Sequence, residues 1–219
     1  VLTGTVSRVE AVVFDLDGVL VDSERMWDEV RRAFAAAHGG RWLADSTRAM
    51  QGMSTPEWAE YLVTAVGVEL SPEDAAAGVI EEMARRYAEG PPVIDGAVQA
   101  VRAVAARYPV AIASSSPPVL IKAFLDSTDL APLVPVALSS EQTGAGKPAP
   151  DVYLAAARKL GVEASVCAAV EDSTNGLRAA LAAGMTVYAI PNLHFPPDPE
   201  VLAEVTVVNS IAELPDALG

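Results

Sequence analysis

A chain of 219 residues accommodates one large α/β domain or a core domain carrying a smaller insertion. With 51% hydrophobic and 20% charged residues disorder is not expected, and every apolar run is broken by Arg, Glu, Pro or Gly before it reaches bilayer-spanning length. A net charge of −14 and a pI near 4.4 argue against nucleic acid as a partner, and admit a small anionic ligand only where a local cationic site overcomes the general field. Residues 1–7 lack the basic start and apolar stretch of a signal peptide, and the single cysteine, Cys167, sits in an apolar run that reads as a buried strand. A cytoplasmic protein is therefore expected, without membrane contact and as a monomer or weak homodimer.

The first strand expected is Ala11–Phe14, closed abruptly by Asp15, Leu16, Asp17 and Gly18. Short apolar runs of the same kind follow at 110–113, 134–138, 166–170 and 186–190, with a weaker one at 205–208. Such continuous runs suit strands covered on both faces. Helical patterns at 97–107, 119–125, 151–160 and 176–183 separate most of them, and Gly161 and Gly184 stand where two of these should stop. Alternating strand and helix implies a parallel, Rossmann-like α/β core.

One region breaks this rhythm: roughly ninety residues without a good strand lie between the first strand and the second, far more than a crossover needs. They read as helices at about 24–37, 56–66 and 72–88; Pro56 and Pro72 each follow a hydroxyl residue, Thr55 and Ser71, as at a capped helix start. The expected organisation is a core of residues 1–22 and 93–219 with an inserted all-helical cap at 23–92.

In open parallel sheets, ligands sit outside the carboxyl ends of the strands. Those ends carry Asp15 and Asp17, Ser114, and Glu171 and Asp172, while the loop before the 151–160 helix supplies Lys147. Four carboxylates in one crevice repel one another unless some take up protons or a hard divalent cation intervenes. Any one of the four reads more simply as a cap or turn residue; it is their recurrence at successive strand ends that points to a site. Lys147 and Ser114 complement the acids, since an ammonium and hydroxyl donors hold a phosphate near carboxylates, although Ser114 to Ser116 read equally well as a capping tract for the helix after Pro117 and Pro118. Two look-alike patterns fail. Gly144-Ala145-Gly146-Lys147 lacks the first glycine and the final hydroxyl of a P-loop, and the G-x-G-x-x-A reading does not directly follow a strand. His38 falls at a helix end and His194 in a proline-rich loop, so no serine–histidine–acid triad is expected.

These motifs resemble the haloacid dehalogenase superfamily, in its branch of sugar-phosphate phosphatases and β-phosphoglucomutase-like proteins. The matching residues are Asp15-Leu16-Asp17-Gly18-Val19-Leu20-Val21-Asp22-Ser23-Glu24, Ser114-Ser115-Ser116-Pro117, Gly146-Lys147-Pro148-Ala149-Pro150-Asp151 and Glu171-Asp172-Ser173-Thr174-Asn175-Gly176. The resemblance implies a nucleophile at Asp15 and a general acid and base at Asp17. It implies Mg²⁺ on Asp15, the Asp17 carbonyl and Asp172 with a direct or outer contribution from Glu171, and phosphate held by Ser114, Ser115 and Lys147. The substrate implied is a small phosphorylated sugar or polyol, chosen by cap residues such as Met26, Trp27, Met50, Gln51 and Trp58, each of which reads equally well as packing between cap helices.

Dehalogenases of the superfamily do not use the second acid, Asp17. Mutase relatives carry histidine where this chain has Trp27, and arginine where Thr55 follows Gly52-Met53-Ser54, so hydrolysis is expected over β-phosphoglucomutase-type phosphoryl return. A phosphonate hydrolase needs a cap lysine, and residues 24–92 contain none. A non-catalytic phospho-aspartate receiver or binding module is the rival of another class; receivers are shorter and carry no helical insertion after the first strand.

Overall fold

The computed structural model describes residues 9–50, 53–192 and 196–219. Six strands form one parallel sheet: β1 (Ala11–Phe14), β2 (Val110–Ser114), β3 (Val136–Ser139), β4 (Cys167–Glu171), β5 (Thr186–Ala189) and β6 (Thr206–Val207), in the order β3-β2-β1-β4-β5-β6. Between β1 and β2 lie α1 (Glu24–Ala37), α2 (Ser46–Ala49), α3 (Thr55–Thr64), α4 (Pro72–Glu89) and α5 (Ala97–Ala105). After β2 come α6 (Pro118–Thr128), α7 (Asp151–Leu160), α8 (Thr174–Ala182), α9 (Pro199–Leu202) and α10 (Leu214–Ala217). Among the described residues no helix is long and apolar enough to cross a membrane.

The period of two along each strand divides the core. Val12 and Phe14 of β1 join Ile112, Val170 and residues of α5 and α6 on one face, while Ala11 and Val13 join Ala113, Ala169 and α7 on the other. Both faces are covered, as the continuous apolar runs require. From β1 the chain steps outward to β2 and β3, then returns to β4 on the opposite side of β1. That reversal opens a crevice beyond the carboxyl ends of β1 and β4, where ligands of such sheets bind.

Helices α1, α3 and α4 build a separate apolar cluster, joined by Met50 just after α2. On α4, Ala75, Val79, Met83 and Tyr87 are buried at a strict spacing of four, and Trp27, Val30, Trp58 and Leu62 meet this stripe. Leu120 of α6 belongs to the same cluster, so α6 joins these helices to the sheet side. The two tethers run side by side: Val21 bridges Val93 antiparallel, and Asp22 N donates to Pro92 O at 2.8 Å.

Several element boundaries differ from the sequence expectation for local reasons. β3 starts at Val136 because Pro135 has no N–H for a ladder. Val166 closes a 3₁₀ turn, leaving Cys167 as the first residue of β4. Helix α8 begins two residues before Gly176, because the Ser173 hydroxyl accepts from Gly176 N at 3.1 Å and caps it. Helix α2, four residues long, is too short to show a periodicity.

Candidate active site

Asp15 continues β1 by one residue, its N–H donating to Val170 O at 2.9 Å, so its carboxylate emerges at the switch point. Glu171 ends β4 and Asp172 follows it; Asp15, Glu171 and Asp172 are 6%, 0% and 3% exposed. Carboxylate oxygens of all three lie within 4.8 Å of one another. Lys147 reaches in from the loop before α7, which enters through a cis Lys147–Pro148 bond. Its Nζ is 2.9 Å from Asp15 Oδ1, and it donates to Glu171 Oε1 at 2.6 Å and to Ala113 O at 3.1 Å.

Glycines make room for two of the acids. A Cβ on Gly176 would stand 1.9 Å from the Glu171 carboxylate, and one on Gly18 (φ +81°) would stand 1.8 Å from Asp172 Oδ2. Glu171 is heavily engaged: Oε1 also accepts from Tyr153 Oη at 2.7 Å, and Oε2 accepts from Asp172 N at 3.1 Å and from the Ser173 hydroxyl at 3.3 Å.

One lysine against three buried carboxylates leaves excess negative charge. Burial, followed by repulsion from Glu171, pushes Asp15 up to about 8 despite Lys147. Burial and then Glu171 also raise Asp172 well above the carboxylate range. Burial works against a charged Lys147, but Asp15 and Glu171 outweigh it and hold its proton more tightly than usual. A compact set of hard oxygen donors with uncompensated charge suits a small divalent cation, so the residues fit Mg²⁺.

Asp17 stands slightly apart. Its Oδ2 accepts from Ser116 Oγ at 2.6 Å and Ser114 Oγ at 3.3 Å, and its Oδ1 accepts from Ser23 Oγ. It faces a cavity of about 510 Å³ between the strand ends and helices α1 to α3. Trp27, Met50 and Trp58 line that cavity, as does Ser115, whereas Met26 is not in its lining and Gln51 lies outside the described residues. Ser114 is fully buried, and its hydroxyl also accepts from Ser116 N at 2.9 Å.

The sequence-predicted acids, Lys147 and the serine tract thus stand at adjoining strand ends; of them Asp17, Ser115 and Ser116 line the cavity, whereas Asp15, Glu171, Asp172, Lys147 and Ser114 are not in its lining. Ser23, Ser116, Tyr153, Glu24 and Arg31 were not singled out. Ser23 and Ser116 stand inside quoted motifs, but Tyr153 and Arg31 look like ordinary helix residues until the fold turns them inward. Glu24 lines the cavity, and burial, followed by Asp17 and Asp22, raises it to about 7. His38 caps α1, its Nδ1 2.9 Å from Phe34 O and its ring stacked on Phe34, which accounts for it structurally; His194 lies outside the described residues.

A parallel α/β sheet with clustered acids and a lysine at its switch point is a scaffold suited to holding a divalent cation beside an anionic group. The family model for haloacid dehalogenase-like hydrolases matches residues 9–184, and the chain belongs to that family as a phosphoric monoester hydrolase. It is 32% identical over 225 residues to hexitol phosphatase B of Escherichia coli K12, covering 98% of this chain and 99% of that one. It is 31% identical over 202 residues to the phosphorylated carbohydrates phosphatase of Thermotoga maritima, covering 91% and 93%. The structure of CbbY from Rhodobacter sphaeroides in complex with phosphate superposes with a TM-score of 0.82 at 26% identity, covering 94% of this chain and 96% of that one.

Proposed function

We propose that the protein is a Mg²⁺-dependent phosphatase of small sugar or polyol monophosphates that works through an aspartyl phosphate on Asp15. The observation that carries this reading is the meeting of Asp15, Glu171 and Asp172 around Lys147 at the switch point, with Asp17 beside them on the cavity wall.

Asp15, the Asp17 carbonyl and Asp172 are the proposed ligands, with Glu171 contributing alongside or from behind them through its hold on Lys147. What Mg²⁺ supplies when bound is neutralisation of charge on the phosphoryl oxygens. Asp15, once ionised, attacks phosphorus without a separate base. Lys147, Ser114 and Ser115 hold the phosphoryl group. Asp17 protonates the departing alkoxide, then takes a proton from the water that hydrolyses the aspartyl phosphate. Its three serine hydroxyl partners keep the carboxylate at the cavity wall between these transfers.

Residues 23–92 act as a cap on the core formed by 1–22 and 93–219, moving about the paired tethers at Val21 and Val93 to admit substrate and exclude water. Trp27 and Thr55 line the cavity in place of the histidine and arginine of mutase relatives, which supports hydrolysis over phosphoryl return. The sugar phosphatases among the relatives support the substrate class. Phosphate release from a panel of sugar, polyol and nucleotide monophosphates tests the reading. Conversion of β-glucose 1-phosphate to glucose 6-phosphate without net release would replace it with the mutase.

A further inference from the structure

Arg31 stands on the cavity wall with neighbours that leave its Nε without an acceptor. Its guanidinium carbon lies 4.6 Å from the Trp27 ring centre and 4.8 Å from that of Trp58, and the two rings are 6.0 Å apart. Its Nε is buried without a hydrogen-bond partner among the described residues. The nearby acids are engaged elsewhere. Asp28 takes Arg32 at 3.0 Å and the Thr47 hydroxyl at 2.5 Å, and Asp17 takes the serines. A guanidinium fixed by two indoles on a cavity wall, with its Nε buried and unpartnered, gains most from a ligand that supplies acceptors.

The cavity's own charge decides what kind of ligand that is. Asp17, Asp22, Glu24 and Asp28 line it against only Arg25 and Arg31, so a second anionic group on the substrate meets net repulsion. Hydroxyl groups fit both signs: they accept from a guanidinium and donate to carboxylates. Trp27, Trp58 and Met50 supply apolar wall for a carbon skeleton.

We propose that Arg31 is the residue that recognises the leaving group, donating to hydroxyls of a neutral polyol or sugar and so selecting its monophosphate over bisphosphates and over esters without hydroxyls. This rests on the phosphatase reading above. The test is kcat/KM for sorbitol 6-phosphate, p-nitrophenyl phosphate and glucose 1,6-bisphosphate with wild type, Arg31→Lys and Arg31→Gln. Wild type should prefer sorbitol 6-phosphate, and both variants should lose about 10- to 100-fold more on it than on p-nitrophenyl phosphate. If Arg31→Gln does not fold, Arg31→Lys, which keeps the charge over both indoles and loses the planar fork, carries the comparison alone. Equal losses on the two esters, or a wild-type preference for the bisphosphate that the variants abolish, would overturn the inference while leaving the phosphatase reading intact. Release from none of the three by wild type would overturn both.

Discussion

Lys147 and Asp15 meet as a buried ion pair, Nζ to Oδ1 at 2.9 Å, with side chains only 4% and 9% exposed. The same ammonium is 2.6 Å from Glu171, so one cation serves two carboxylates that arrive on different strands. Removing one partner of a buried pair strands the other's charge. Lys147→Ala is therefore expected to destabilise the chelated protein by about 3 kcal/mol, softened by proton uptake on the acids. It should also lower phosphate release by about 10²-fold or more. Thermal unfolding with EDTA and a release assay check the two effects; a variant as stable and active as wild type would contradict the pairing.

The acids should make metal-free stability depend on pH in a defined direction. Burial and Glu171 raise Asp15 to about 8, and burial with Asp17 and Asp22 raises Glu24 to about 7. Both groups hold protons more tightly in the folded state than in the unfolded chain, whose carboxylates titrate near 4. The folded state therefore carries more protons between those values, and stability falls as pH rises from about 4 to about 8. Mg²⁺ competes with the proton on Asp15, so the rise in Tm it produces is expected to be larger at pH 8 than at pH 5.5. Equal rises at the two values would show that Asp15 is not a ligand.

Gly176→Ala should act at a distance of one side chain. The added methyl would stand 1.9 Å from the Glu171 carboxylate, which has to leave Lys147 and Tyr153. A lower Tm and weaker Mg²⁺ binding are expected together, and calorimetric titration of the folded variant reads the second. Gly184→Ala is the contrasting variant. It shares a positive φ with other helix-end glycines but meets nothing within 4 Å, so it should lose about 1 kcal/mol of stability and leave Mg²⁺ binding unchanged.

Tyr153→Phe removes the 2.7 Å hydrogen bond to Glu171 while keeping the buried ring. Partners behind metal ligands typically change affinity by 10- to 100-fold, and about tenfold weaker Mg²⁺ binding is expected here. Unchanged binding would assign Tyr153 to packing alone.

Strands β1 to β4 were legible because each is a short apolar run that ends in or is followed at once by a polar residue, and β1 with Asp15-Leu16-Asp17-Gly18 is the clearest case. The acids, Lys147 and the serines were legible for the same reason: strand ends of a parallel sheet converge, so residues remote in the chain meet without knowledge of packing. What was not legible depends on helix rotation and register. Arg31 is one of several arginines on α1, and only the placement of Trp27 and Trp58 around it shows that it faces the cavity. Tyr153 has no sequence mark beyond helical periodicity, and the reach of Ser23 to Asp17 depends on the fold of the 17–22 turn. Leu120 gave no sign that α6 would enter the insertion's cluster, because its spacing serves the core equally well.

The central claim is that Asp15 performs the chemistry with Mg²⁺. Its most direct test is phosphate release from sorbitol 6-phosphate by wild type and Asp15→Asn, each with Mg²⁺ and with EDTA. Release by wild type that EDTA abolishes is expected, with a loss of about 10⁴-fold or more in Asp15→Asn. Undiminished release by Asp15→Asn would contradict it.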